Sequence, residues 1–335
     1  MKTRRILFLI AIVSLLILTV FASVAFGAKA VSINSIISAF LAKDSSSYEV
    51  SVVLARFPRT AFGLIAGAAL AISGVLMQAL TGNPIADPSI LGVNTGASLF
   101  VVVGIAFLNI QTGFAYIWLA FIGATVTAVF VYGLSSIGGG GVTPIKLALA
   151  GAAASTALSS LTSAIMLPNN QVMDRFRFWQ SGSIGGAGWN DISLLLPFLI
   201  IGFIFSIYLS SSLNVLAMGD EVATGLGVHI GRVRILSAFA GVLLCASTTA
   251  LAGPIGFIGL MVPHFVRLIF GNDLKWVIPV SAITGAVLLL FADVLGRMIN
   301  SPGELEVGIV TAIMGAPIFI LICKTSTTNM QRRIQ

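Results

Sequence analysis

ARFPRTAFGLIAGAALAISGVLMQALTGNPIADPSILGVNTGAS occupies residues 55–98. It opens with Arg56 and Arg59, runs from 60 to 86 without a charge, and turns at Gly82-Asn83-Pro84 before a further apolar run begins behind Asp87-Pro88. A bilayer-crossing helix needs roughly 20 apolar residues, so 59–80 predicts one span and 89–108 the next. Gly82 is suited to end the first helix, Asn83-Pro84 to turn, and Asp87 to cap a helix that carries proline at its first position. That turn chemistry alone accounts for these residues as well as any functional role does.

The same pattern fills the chain on both sides. Of 335 residues, 57% are hydrophobic and 9% are charged, whereas a soluble domain is about 25% charged. Residues 6–28, 147–173 and 192–219 carry no charge. The uncharged run 88–145 is too long for one span and breaks at Asn109–Gly113, and 235–266 breaks at Gly253-Pro254. Residues 276–296 and 307–323 supply two more. The chain therefore reads as an all-α membrane protein of about ten transmembrane helices, near 6–26, 59–80, 89–108, 114–135, 146–167, 191–212, 234–252, 256–270, 276–297 and 307–323. Between them, 27–58, 168–190 and 213–233 are too short to bury a core, so residues 1–335 form one transmembrane domain.

Lys2, Arg4 and Arg5 before an apolar run, followed by Ala28-Lys29-Ala30, resemble a cleavable signal peptide in outline. The 23 uncharged residues of 6–28 exceed the usual core of about 7–15 residues, which favours a retained span. Ten spans and Lys/Arg-rich ends place both termini in the cytoplasm, with Lys146, Arg232 and Arg234 inside and Arg56, Arg59, Arg175, Arg177 and Arg297 outside. The net charge of +7 then reports topology and implies no nucleic acid. Cys245 and Cys323 fall in apolar spans as small packing residues, and neither they nor His264 and His229 suggest a metal site or cofactor.

Within this apolar chain, AMGDEVATGLGVHIGRVR (217–234) gathers Asp220, Glu221, His229, Arg232 and Arg234 with four glycines. Other polar groups stand alone. Pro58 predicts a helix start that puts Arg56 and Arg59 at its N-terminus, where cations oppose the helix dipole; they either snorkel to lipid headgroups or receive carboxylates of a partner. Asp293 and Arg297 are four apart and can pair on one helix face, with Arg297 reaching the surface. Ser301-Pro302-Gly303-Glu304 resembles a capping box for the last span. Gly63, Gly67 and Ala71 form a small-residue stripe for close helix approach. Ser155, Ser159 and Ser163 recur every four residues, either for interhelical hydrogen bonding or as the wall of a polar path. The tetraglycine 138–141 lacks the Gly-Lys-Ser/Thr and the preceding strand of a phosphate loop, so any ATPase is a separate chain.

Residues 55–98, KLALAG (146–151), FWQSGSIGGAGW (178–189), GDEVATGLG (219–227), AGPIGFIGLMVPHFVRLIFGND (252–273) and PVSAITGAVLLLFADVLGR (279–297) together resemble the permease subunits of type II ABC importers for iron-siderophores, haem and cobalamin. The resemblance implies ten helices per subunit in that permease fold, in the bacterial cell membrane. It implies a homodimer or a heterodimer with a paralogous permease, two cytoplasmic ATP-binding subunits and an external substrate-binding protein. It makes 217–234 a coupling segment of two short helices separated by a glycine, lying in a cleft of the ATPase, with Gly219, Asp220, Glu221, Gly225, Gly227 and Arg232 in that contact and Gly225 and Gly227 allowing its turn. Arg56, Arg59 and Arg297 match the external arginines that receive glutamates of the binding protein. Ser155, Ser159 and Ser163 fall on the translocation path, and Asn83 and Thr143 near its cytoplasmic closure.

Two other classes compete. An ion-gradient-driven secondary transporter needs intramembrane acids near the midplane, and only Asp293 is a candidate. A membrane-embedded enzyme needs a nucleophile, a base and an orienting group together, and none converge. The resemblance implies a ferric siderophore ahead of haem or cobalamin as cargo, in part because that is the family's commonest use; the absence of a metal ligand along the presumed path agrees, since the iron must then arrive wrapped by its own chelator.

Overall fold

The structure is a computed structural model that describes residues 2–29, 31–41, 48–110, 112–137 and 142–334, with side chains beyond 320 outside the description. The tetraglycine 138–141, Gln111, Lys43 and the Cys323 side chain fall outside it. The described chain is built of α1 (Lys2–Ala25), α2 (Ile33–Phe40), α3 (Tyr48–Thr81), a 3-10 turn Pro88–Leu91, α4 (Val93–Phe107), α5 (Gly113–Ser135), α6 (Pro144–Met166), α7 (Asn170–Gln180), α8 (Trp189–Leu216), α9 (Asp220–Gly225), α10 (Ile230–Ala252), α11 (Ile258–Phe270), α12 (Leu274–Ile299) and α13 (Val307–Ile334). Helices α1, α3, α5, α6, α8, α10 and α12 are long and apolar enough to cross a membrane. Helices α4, α11 and the Val307–Ile320 part of α13 are shorter and apolar, and they fall at the three remaining expected spans. Helices α2, α7 and α9 lie in the stretches expected to be non-spanning.

Helix α3 is central and packs most extensively against α12, then against α10 and α11. Its small-residue stripe works as expected: a Cβ on Gly63 would lie 2.6 Å from Leu290 Cδ2, and one on Gly67 would overlap the carbonyl of Gly285. The stripe continues to Gly74, where a Cβ would overlap the Gly259 carbonyl. Close backbone approach of this kind replaces the hydrophobic drive that lipid cannot supply. Helix α3 begins at Tyr48, ten residues before Pro58, and not at the proline. Its first turns pack Val50 and Val53 against Ala39 of α2, with Phe57 alongside. Arg56 and Arg59 therefore sit inside a helix, and the expectation of cations at its N-terminus is corrected.

The short span expected near 256–270 is α11, 13 residues long. At 1.5 Å per residue it extends about 20 Å, less than the ~30 Å hydrocarbon core. The chain before it is irregular, with Gly253 at φ 72 and Phe257 at φ 70. Irregular backbone at membrane depth must be satisfied within protein. Here Ser183 N donates to Ala252 O at 2.7 Å, and Gly308 N to Gly182 O at 3.0 Å, so the breaks before α8, α11 and α13 pair with one another.

The bundle has two distinct ends. Helix α1 starts where Arg5 Nη2 donates to Phe270 O at 2.9 Å and finishes beside Arg56. One end therefore carries Arg56, Arg59, Asp293, Arg297 and Glu304, and the other carries α9, the end of α11 and the start of α12.

Candidate functional site: a hydroxyl groove between two charged ends

At the first end the three predicted arginines are brought together, with a different disposition from the one expected. Asp293 is the centre. It accepts Arg59 Nη2 at 2.7 Å and Arg297 Nη2 at 2.8 Å, and Arg59 Nε approaches both carboxylate oxygens at 3.2 and 3.3 Å. Arg59 Nη1 also reaches Glu304 Oε2 at 2.7 Å. The i,i+4 pair of Asp293 and Arg297 forms as predicted, yet Arg297 is 1% exposed and does not reach the surface. It turns inward to Ser23, donating to its carbonyl and its hydroxyl, both at 3.0 Å. Arg56, 6% exposed, donates to the carbonyls of Val24, Ala25 and Lys29 at 2.8, 2.9 and 2.7 Å. The first two are unsatisfied carbonyls at the C-terminal end of α1, where a cation is favourable, and the third belongs to the loop that follows it. Snorkelling is thus excluded for Arg56. The capping box is also corrected: Ser301 Oγ donates to Ala28 O at 2.9 Å, Glu304 is held by Arg59, and α13 starts only at Val307. Three cations face two carboxylates here, and Glu304, with its side chain 40% exposed, is the rim.

At the opposite end, α9 projects from the bundle. Gly219 (φ 107) and Gly227 (φ 80) bracket it in backbone regions that favour glycine, whereas Gly225 is its last helical residue. The turn thus belongs to Gly219 and Gly227. The expected second short helix is the start of α10, with no separate helix between. Ala223 is buried, while Met218, Val222 and Leu226 are exposed four residues apart, and Glu221 and Arg232 are exposed beside them. Asp220 is not free: Arg234 Nη2 donates to both its oxygens at 3.0 Å. Arg234 Nη1 also donates to Val142 O at 3.2 Å, just before α6.

Between the ends, α6 is the least covered of the interior spans. Ser155, Ser159 and Ser163 line, with Thr156 and Ser160, a shallow groove of about 690 Å³ whose described wall is α6 alone and whose other side is open. Ser160 and Ser163 donate to the carbonyls four residues back, both at 2.9 Å. Such back-bonding satisfies each hydroxyl proton within the helix and leaves oxygen lone pairs on the groove. Ser155 is half-buried and accepts from Thr95 Oγ at 3.4 Å. Asn83 takes the local role that turn chemistry predicts, with Ile85 N donating to Asn83 Oδ1 at 3.1 Å, and Thr143 caps α6, accepting from Lys146 N at 3.3 Å. Asp87 likewise caps the 3-10 turn, accepting from Ser89 N at 2.9 Å.

Two features escaped the sequence reading. Glu304 follows Ser301 at capping-box spacing, which masks its role as a partner of Arg59. Arg267, alone in an apolar helix, carried a signal in its isolation, because a cation in a span faces the protein interior or a cavity.

The described side chains assemble no nucleophile, base and orienting group. They bring together an exposed hydroxyl face on α6 and a charged cluster at each end of an apolar helical bundle. The chain matches the FecCD transport family over residues 15–325 and belongs to that family. It is 41% identical over 323 residues to the Fe(3+)-citrate import system permease protein YfmD of Bacillus subtilis, covering 96% of each chain. It is also 41% identical over 321 residues to the ferric enterobactin transport system permease protein FepD of Escherichia coli, covering 95% of this chain and 96% of that one. A metal-chelate type ABC transporter solved in an inward-facing conformation superposes with a TM-score of 0.82 at 25% identity, over 94% of this chain and 98% of that one. The protein is a permease subunit of the ABC importer class, which sets aside the gradient-driven alternative.

Proposed function

We propose that the protein carries a ferric siderophore or a similar wrapped iron chelate across the bacterial cell membrane, driven by ATP-binding subunits on separate chains. The observation that carries this reading is the α6 groove. It is wide, weakly polar and lined by hydroxyls without a metal ligand, which suits a cargo whose iron is already coordinated. Haem and cobalamin are the alternatives within the same family. Enlarging Ser159 to Phe in the groove should lower uptake of a bulky ferric chelate about tenfold, the change produced by a barrier increase of about 1.4 kcal/mol, with membrane level unchanged. Undiminished uptake by Ser159→Phe removes the groove from the path. A deletion strain that keeps growth on ferric siderophores but loses it on haem or cobalamin overturns the cargo. The open side of the groove is closed in this reading by a second permease, a copy of this chain or a paralogue, surrounded by membrane lipid.

The α9 end is read as cytoplasmic, with both chain termini on that side. The exposed row Met218, Val222 and Leu226 beside Glu221 and Arg232 supports docking of an ATP-binding subunit there. Asn83 and Thr143 are assigned to the cytoplasmic closure, since the neighbouring Gly82, Pro84 and Pro144 line one cleft. The arginine end is read as external and as the landing site of a substrate-binding protein. Arg59 is assigned the direct contact with a partner carboxylate, while Arg56 and Arg297 act from beneath by holding α1 and adding positive field. Exchanging Arg59 for Glu should weaken binding of the substrate-binding protein at least tenfold, and wild-type binding should weaken as salt shortens the Debye length below about 10 Å. Binding indifferent to both changes removes the arginine cluster from docking.

A further inference from the structure

A second feature of the α9 end is a cleft of about 440 Å³ between the ends of α3, α8 and α11 and the starts of α6 and α12. Its charged lining is Asp220, Arg234 and Arg267. Asp220 and Arg234 neutralise each other through two hydrogen bonds of 3.0 Å. Arg267 has no such partner. Among the described residues its one hydrogen bond is from Nη1 to Gln78 Oε1, and no carboxylate there pairs with it. Gln78 is itself fixed: its Nε2 donates to the carbonyls of Gly259 and Leu260 at 3.2 and 3.4 Å, which aims the amide oxygen at the guanidinium. A guanidinium has five donors, so most of this one is left to whatever enters the cleft. A partly buried cation without a counter-charge is costly, and a bundle that keeps one beside an opening is built to receive an anion.

We propose that this cleft accepts an acidic side chain of the ATP-binding subunit, with Arg267 as its fork-shaped receptor. The proposal rests on the reading of α9 as the ATPase contact and adds the chemistry of a second, deeper point of attachment. The cleft is continuous with that contact, because Ala217, Gly219 and Asp220 of the α9 segment form one of its walls. Its charged groups sum to one net positive charge, which complements a single carboxylate. A carboxylate seated on Arg267 would touch α11 directly and α3 through Gln78, two helices that α9 itself does not bond.

The test uses the full permease in nanodiscs and the ATP-binding subunit that co-purifies with it, with affinity measured at low and physiological salt. Arg267→Gln should lower the affinity about tenfold, in the range of a lost hydrogen bond to a charged group, and should flatten the salt dependence. It should not lower the thermal stability of the permease alone, because it removes an unpaired charge. Pro84→Glu, at the exposed rim of the cleft, places a carboxylate near Arg267 from this chain's own side and should weaken binding similarly, which gives a second reading if Arg267→Gln folds poorly. Unchanged affinity in either folded variant overturns the proposal. A rise in permease stability with inorganic phosphate that Arg267→Gln abolishes, with ATPase affinity unaffected, would make the site one for a free anion and also overturn it. If the Glu221→Ala/Arg232→Ala double variant likewise binds the ATPase normally, the α9 reading itself fails; if that variant loses affinity and the Arg267 and Pro84 variants do not, only the receptor role of Arg267 fails.

Discussion

Asp293→Ala should destabilise the folded permease by about 3–5 kcal/mol, the cost of removing one member of a buried ion pair. Few substitutions elsewhere in the chain would approach this. The carboxylate is 2% exposed and receives two guanidinium groups at 2.7 and 2.8 Å. Without it, Arg297 retains the Ser23 carbonyl and hydroxyl and the backbone carbonyl of residue 293, and all three are neutral. Arg59 retains Glu304, whose side chain is 40% exposed and so screened by solvent. Two cations would then stand close together with one partly solvated anion between them, and the joint between α1, α3 and α12 would open. Asp293→Asn keeps the volume and removes the charge, so it should lose nearly as much. The measurement is thermal unfolding of the purified protein together with its level in the membrane. A fully stable Asp293→Asn protein would show that the arginines find other partners and that the cluster does not hold the bundle.

Replacing Glu221 and Arg232 together by Ala should abolish ATP-driven uptake while leaving the permease folded. Both side chains are exposed and have no ion pair among the described residues, so the stability change should stay within about 0.5 kcal/mol. Binding of the substrate-binding protein at the opposite end should persist. What is lost is the grip on α9. A push on α9 would travel through Asp220 to Arg234, and from Arg234 to the Val142 carbonyl two residues before α6. Helix α6 carries the hydroxyl groove, so this chain of contacts joins the proposed ATPase face to the proposed path. Reconstituted vesicles with the ATP-binding subunit should hydrolyse ATP without accumulating ferric chelate. Normal uptake by the double variant would remove α9 from coupling.

The ten spans were legible in the sequence because membrane crossing is a local property: an unpaired charge in hydrocarbon is expensive, so charges punctuate the apolar runs at the bundle ends. The cap at Asp87 was legible for the same reason, since it bonds a backbone group two residues away, and the cap at Thr143 is equally local. The Gly63–Gly67–Ala71 stripe declared a close helix contact, and only the fold showed that α12 makes it. The polar segment 217–234 also stood out against its surroundings, whereas the division of labour among its glycines followed from backbone angles that the glycine symbols do not encode. The charged cluster was decided by tertiary structure. Arg59 and Asp293 are 234 residues apart, Arg56 meets the end of α1 from 27 to 32 residues away, and Ser23 receives Arg297 from 274 away. Sequence placed these groups at one end of the bundle, but whether each faced outward or inward depended on which carbonyls and carboxylates the packed helices left within reach. Arg267 follows the same rule from the other side: α11 carried it to the edge of a cleft, and the packing around it supplied an amide and no acid.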